Sequence, residues 1–325
     1  MDFGLRPTKV VFVDLDNTLY DWLGFFGPAF RGLCTHLSEL SGLHVDQLYD
    51  EFKGVFTEHG SVEYTFALQE LPSLRRLHSN LSKTQLVAEY FDAILVYQSR
   101  RRRYLRAYSD VPNALRELRQ MGIRIIAISD AHRFHVLNRL RQLDLLSLLD
   151  GVCCVEDHGG ATDEDLSRIR RFEPSRYEIA AEYEFILPAG LRKPSHHVLD
   201  WLTWKIGLAP GDAIYVGDSL VKDIAMARRA GVYDCWAIYG TLYSPLDMAT
   251  LVKVTNWSAS LVNRVLNATP ERLGIQPSCT IESFKEVVAI ASSHPLPKVT
   301  ERPDLVSSQL SLFELGAESV VSSEA

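Results

Sequence analysis

Five short runs of apolar, largely β-branched residues recur along the chain, at residues 9–13, 123–128, 152–155, 213–216 and 235–238, each ending in polar or small residues. Such runs read as buried strands. Between most of them lie helical patterns, at 114–121, 132–143, 196–206 and 221–230, and Gly122, Gly207 and Gly231 stand where helices stop. Strands that alternate with helices predict an α/β fold, a doubly wound parallel sheet with helices on both faces. Ligands of such sheets sit at the carboxyl ends of the strands.

Residues 20–107 break this rhythm, with helix-like stretches near 29–40, 45–58 and 83–105 and no convincing strand. The segment enters after the first strand and leaves before the second, so it is expected to form an inserted α-helical cap over the strand ends. Residues 1–19 and 108–291 then make the core. Residues 157–191 are long for a connection and read as an insertion or second lid, with Asp163-Glu164-Asp165 suggesting a helix start. Residues 281–291 fit a last core helix. Serine, proline and acidic residues dominate 292–325, which is expected to be a flexible tail.

Composition narrows the function. The 325 residues are 46% apolar and 23% charged, an ordinary globular mix. A net charge of -7 and a pI near 5.8 speak against a nucleic-acid partner. No apolar stretch matches a signal peptide or the roughly 18 residues of a membrane span, so no membrane partner is expected and the protein reads as cytoplasmic. The five cysteines lack C-x-x-C spacing and are expected to be buried thiols. Oligomeric state leaves no mark in the sequence.

The chemistry starts at Asp14-Leu15-Asp16-Asn17-Thr18, directly after the first buried run. Two carboxylates two residues apart leave the sheet on the same side and raise each other's proton affinity unless a cation intervenes. Mg2+ is the natural compensation, since it takes a few carboxylates, waters and a substrate phosphate. Ser129 ends the second strand, Lys193 precedes a proline and a helix, and the fourth strand runs into Gly217-Asp218 and on to Asp223. Alone, each could be a cap or a solvated charge. Together they fall at one edge of the predicted sheet.

In this order and context the pieces resemble those of the haloacid dehalogenase superfamily of phosphohydrolases, over about residues 9–239. The resemblance implies a Mg2+-dependent phosphatase acting on a small phosphorylated metabolite through an aspartyl phosphate. It makes Asp14 the nucleophile and Asp16 the general acid and base, with Ser129 and Lys193 binding the phosphoryl group. Asp14, the backbone carbonyl of Asp16 and Asp218 would hold the metal, with Asp223 in support, and Thr18 would orient the loop. A phosphomutase of the same superfamily and a non-catalytic binding protein remain as alternatives. The family's dehalogenases lack the second aspartate, so Asp16 speaks against dehalogenation.

Arg100 to Arg103 with Arg106 form a basic run that reads first as a solvated helix end. Arg100, Arg103 and Arg106 also recur at i and i+3, which makes Arg103 and Arg106 candidates for binding an anionic part of the substrate. Adjacent His196 and His197 are expected to point apart and not to form a metal pair. Trp201 and Trp204 are spaced for one buried helix face.

Overall fold

A computed structural model describes residues 8–157, 179 and 184–293. The strands are β1 (Val10–Val13), β2 (Arg124–His132), β3 (Gly151–Val155), β4 (Glu184–Ile186), β5 (Ala213–Gly217), β6 (Tyr233–Ala237) and β7 (Cys279–Ile281). They form one sheet, ordered β4-β3-β2-β1-β5-β6-β7, and every pairing is parallel. All four residues of β1 are buried, because the strand is paired on both edges and covered on both faces. Its side chains alternate. Val10 and Phe12 pack with Ile126, Ile128, Tyr215, Val198 and Met226, whereas Val11 and Val13 join the opposite layer with Ile125, Ala127 and Ile214. Burying each such side chain contributes about 1.5–3 kcal/mol, which fixes the position of the loop that follows.

The chain moves outward from β1 to β2, β3 and β4, then returns to β5 on the other side of β1. Strand order therefore reverses beside β1, the point at which sheets of this kind take their ligands.

Between β1 and β2 lie α1 (Trp22–Ser41), α2 (Val45–His59), α3 (Pro72–Leu77), α4 (Lys83–Glu89) and α5 (Phe91–Tyr104), followed by α6 (Val111–Gln120). Asp21 caps α1 by accepting from Gly24 N at 2.7 Å. A ladder of rings, Trp22 on Phe26 and Phe26 on Phe30, carries α1 into the core. The later helices are α7 (Arg133–Gln142), α8 (His197–Lys205), α9 (Ala225–Ala230), α10 (Pro245–Val254), α11 (Ala259–Leu266), α12 (Pro270–Leu273) and α13 (Glu286–Ser292). One face of the sheet is covered by α8 and α9, the other by α6, α7, α13 and the helical segment. Helix α10 meets α1 where a Cβ on Gly27 would fall 2.4 Å from Asp247 Oδ1 and where Arg31 pairs with Asp247 at 2.7 Å.

Several sequence expectations change. The pattern at 83–105 is two helices, because buried Tyr90 leaves helical geometry and bonds His78 at 2.9 Å. Part of 157–191 belongs to the sheet: Glu184–Ile186 is an edge strand too short for its pattern to show. The Asp163-Glu164-Asp165 run and residues 294–325 lie outside the described residues. Ile281 ends β7, so the last helix starts only at Glu286. Trp201 is buried but Trp204 is 48% exposed, since α8 is too short and too near its end there for both to reach the sheet. Cys279 is half-buried and the other four cysteines are buried. No helix among the described residues is long and apolar enough to cross a membrane.

Candidate active site

The loop after β1 turns sharply, with Asn17 in the left-handed region at φ 61°. Asparagine tolerates that conformation better than most residues. The carbonyl of Asn17 lies so close to Gly240 that a Cβ there would come within 2.0 Å of it, and Tyr239 donates to the carbonyl of Thr18 at 2.7 Å. The loop is thus clamped from the end of β6. Thr18 Oγ1 lies 3.4 Å from both Asp14 Oδ2 and Asp218 Oδ1, joining the ends of β1 and β5.

Lys193 is buried and reaches Asp14 Oδ1, and its Nζ lies 2.9 Å from Asp223 Oδ1. Its own position is set by Asp130, whose carboxylate accepts from the Lys193 backbone N–H at 3.1 Å. Asp223 stands on a single π-helical turn, Leu220–Ile224, that precedes α9, where a regular helix was expected from 221. Such turns often occur at functional sites. Tyr215 donates to Asp223 Oδ1 at 2.7 Å and the Ser219 N–H to Oδ2 at 3.1 Å. Gly217 is required by the same packing, since a Cβ would fall 2.5 Å from that of Asp223. Ser129 is buried in β2 where its register with β3 slips, between Ile128 and His132, and its Oγ accepts from Ala131 N at 3.1 Å.

Ligand oxygens of Asp14, Asp218 and Asp223 lie within 4.8 Å of one another. Burial pushes the Asp14 carboxyl up to about 7, with Lys193 opposing and Asp223 and Asp16 adding to the rise. Asp218 is also pushed well above the carboxylate range, first by burial and then by Asp14 and Asp223. One ammonium does not compensate three carboxylates here. Oxygen donors with excess negative charge fit a hard divalent cation.

Asp16 turns elsewhere. Its Oδ1 accepts from Arg139, a wholly buried arginine of α7 that also donates to Glu63 and lies 3.4 Å from the Tyr20 hydroxyl. Glu63 comes from the helical segment, and Arg101 Nη2 lies 3.7 Å from its Oε1. Arg139, Glu63 and Tyr215 escaped the sequence reading, and Arg101 entered it only as part of the basic run. Only Arg139 left a signal: it occupies a core register with Val136 and Leu140, where a charge needs a partner.

Arg103 and Arg106 are not brought to the carboxylates. Arg103 is exposed and stacks on Tyr104, and exposed Arg106 donates to the carbonyls of Arg102 and Leu105. Of this run, α5 turns Arg101 inward, against Phe25 and Tyr97. His196 and His197 do converge, on Asp200 at 3.8 and 3.5 Å, because His196 is the cap residue and not part of the helix proper.

A family model for haloacid dehalogenase-like hydrolases matches residues 8–231. The chain belongs to that family. Among relatives of this hydrolase, a glyceraldehyde 3-phosphate phosphatase of Methanopyrus kandleri is 27% identical over 228 residues, 69% of this chain and 81% of the relative. Another enzyme of that name, from Pyrococcus furiosus, is 24% identical over 246 residues, 75% of this chain and 86% of the relative. The hydrolase shares its fold with a 2-haloacid dehalogenase structure from Pseudomonas syringae, with a TM-score of 0.51 and 16% identity over 87% of this chain and 97% of that one.

Proposed function

We propose that this hydrolase is a Mg2+-dependent phosphatase that releases inorganic phosphate from a small phosphate monoester by way of an aspartyl phosphate. The observation that carries the reading is the cluster of Asp14, Asp218 and Asp223, with buried Lys193 holding Asp14 and Asp223, at the strand-order reversal. A phosphorylated three-carbon aldehyde or a related sugar phosphate is the substrate class to test first, in keeping with the names of the two relatives.

Asp14 supplies the nucleophilic oxygen. As its bond to phosphorus forms, the bond to the leaving oxygen breaks, and Asp16 gives that oxygen its proton. In the second half a water attacks phosphorus, its proton passes to Asp16, and phosphate leaves with Asp14 restored. Lys193 and the Ser129 hydroxyl hold the phosphoryl oxygens through the loose transition state. Thr18 keeps Asp14 and Asp218 in register. Asp14, Asp218 and the Asp16 carbonyl would hold Mg2+, supported by Asp223; when bound it offsets repulsion between carboxylate and phosphate. Residues 20–107 act as a cap that shuts water out and selects the substrate.

Released phosphate, measured over a panel of phosphorylated three-carbon compounds and sugars, tests the reading. Activity should require Mg2+, vanish on chelation and be abolished by Asp14→Asn with the fold intact. Near-normal phosphate release by Asp14→Asn would overturn it.

A further inference from the structure

Arg139 has no exposed surface, yet it carries a charge that cannot be neutralised near physiological pH. Such a group is kept inside only by partners. Its partners come from two parts of the molecule: Nη1 donates to Asp16 in the loop after β1, and Nη2 donates to Glu63 in the stretch between α2 and α3. The Glu63 side chain is only 7% exposed, and it continues to Arg101 of α5. The charges alternate in sign from Arg101 through Glu63 and Arg139 to Asp16. A planar guanidinium can hold two carboxylates at once in fixed directions, which an ammonium does not do as well.

We propose that Arg139 is a positioning residue for Asp16, and that Glu63 makes its grip depend on the seating of the helical segment against the core. Asp16 is then aimed for proton transfer when that segment is closed. This rests on the reading of Asp16 as the proton donor. With Oδ1 taken by Arg139, the proton falls to Oδ2 and passes to the leaving oxygen as the phosphorus–oxygen bond breaks. Withdrawal of the helical segment removes Glu63, and the arginine loses half of its compensation. Asp16 is then no longer held from a fixed point.

The test exploits the leaving group. An alkyl phosphate needs a proton on departure, whereas para-nitrophenolate leaves without one, and kcat/KM covers only the steps up to the first phosphoryl transfer. The ratio of kcat/KM for glyceraldehyde 3-phosphate to that for para-nitrophenyl phosphate is measured for Asp16→Asn, Arg139→Met, Arg139→Lys and Glu63→Gln. Loss of aimed proton donation should lower this ratio about tenfold to hundredfold in Asp16→Asn and Arg139→Met. Glu63→Gln should lower it less, Arg139→Lys should recover part of it, and Arg139→Met should lower it no further in the Asp16→Asn background. Should Arg139→Met fail to fold, the Lys variant and Glu63→Gln carry the comparison. A purely structural role would reduce both substrates equally; an unchanged ratio in the Arg139 and Glu63 variants alongside a lowered one in Asp16→Asn would overturn the proposal. An unchanged ratio in Asp16→Asn itself would instead remove Asp16 as the donor, and with it that part of the proposed function.

Discussion

Lys193 and Arg139 are both buried cations held between two carboxylates, and both touch the loop that follows β1. Lys193 meets Asp14 at the end of β1 and Asp223 on the π-helical turn between β5 and α9, both on the core. Arg139 meets Asp16 on the core and Glu63 on the helical segment. The first is a compact charge among groups that crowd negative charge together; the second is a fork between two structural units. On the proposed reading, the same motif serves chemistry in one place and attachment in the other. The difference predicts that loss of one is repaired by an added cation and loss of the other is not.

The largest effect on stability is expected from Arg139→Met, which leaves Glu63 buried without its main partner. Breaking a buried pair from one side costs about 3–5 kcal/mol, reduced here because the Asp16 side chain is 27% exposed and can turn to water. Urea unfolding should show the loss, and Mg2+ should not restore it. Recovery by Mg2+ would mean that Arg139 belongs to the metal group after all.

Lys193→Met is expected to lower kcat/KM by about 10²- to 10³-fold, the usual cost of losing one donor to a developing oxyanion. Its stability should depend on Mg2+ more steeply than that of the wild type, because Lys193 is the cation that opposes the raised proton affinity of Asp14 and Asp218. Equal Mg2+ dependence of the two unfolding midpoints would show that Lys193 and the metal act independently.

This contrast also explains what the sequence could disclose. Asp14, Asp16 and Asp218 follow the ends of β1 and β5, and such ends are visible as the point at which an apolar run stops; Ser129, inside β2, and Lys193 and Asp223, on segments beyond β4 and β5, were legible through their order in the family's pattern. Glu63 and Arg101 lie on helices and turns whose polar residues have no such marker. Their meeting with Arg139 depends on how the helical segment lies on the core, a tertiary fact with no local signature. The short edge strands β4 and β7 were missed for a related reason: three residues do not make a period. Arg101 was passed over because spacing shows which residues share a face of α5 but not which face is covered.

His135 sharpens the comparison through pH. It stands one turn before Arg139 on α7 and its Nε2–H donates to the carbonyl of Glu63 at 2.7 Å, so it too ties the core to the helical segment. Burial, and then the charges of Arg101 and Arg139, hold its pKa well below the usual 6.5. The folded protein therefore keeps the ring neutral where the unfolded chain takes up a proton. That stabilisation is complete above about pH 6.5 and is lost as pH falls below it, by at most about 1.4 kcal/mol per pH unit. His135→Gln, which retains a donor, should flatten the acid side of the stability profile by about one proton. Parallel profiles for variant and wild type would contradict the assignment.

The smallest effects separate the arginines of α5. Arg101 is largely buried, lies over Phe25 and Tyr97 at 5.6 and 5.4 Å, and extends the Arg139 group through Glu63. Arg103 and Arg106 are exposed, and the partners described for them are a neighbouring ring and two backbone carbonyls. Loss of a cation from aromatic faces and from a partly buried carboxylate should make Arg101→Ala cost about 1–2 kcal/mol of stability. Exposed substitutions away from such features stay within about 0.5 kcal/mol, so Arg103→Ala and Arg106→Ala should leave both unfolding and KM nearly unchanged. The order matters more than the magnitudes. If Arg101 acts through Glu63, its removal should move the alkyl-to-aryl ratio in the same direction as Glu63→Gln, by a smaller factor, and the other two should leave that ratio where it is. A rise in KM for acidic substrates in Arg103→Ala that exceeds the rise in Arg101→Ala would instead put the outer face of α5 against the substrate.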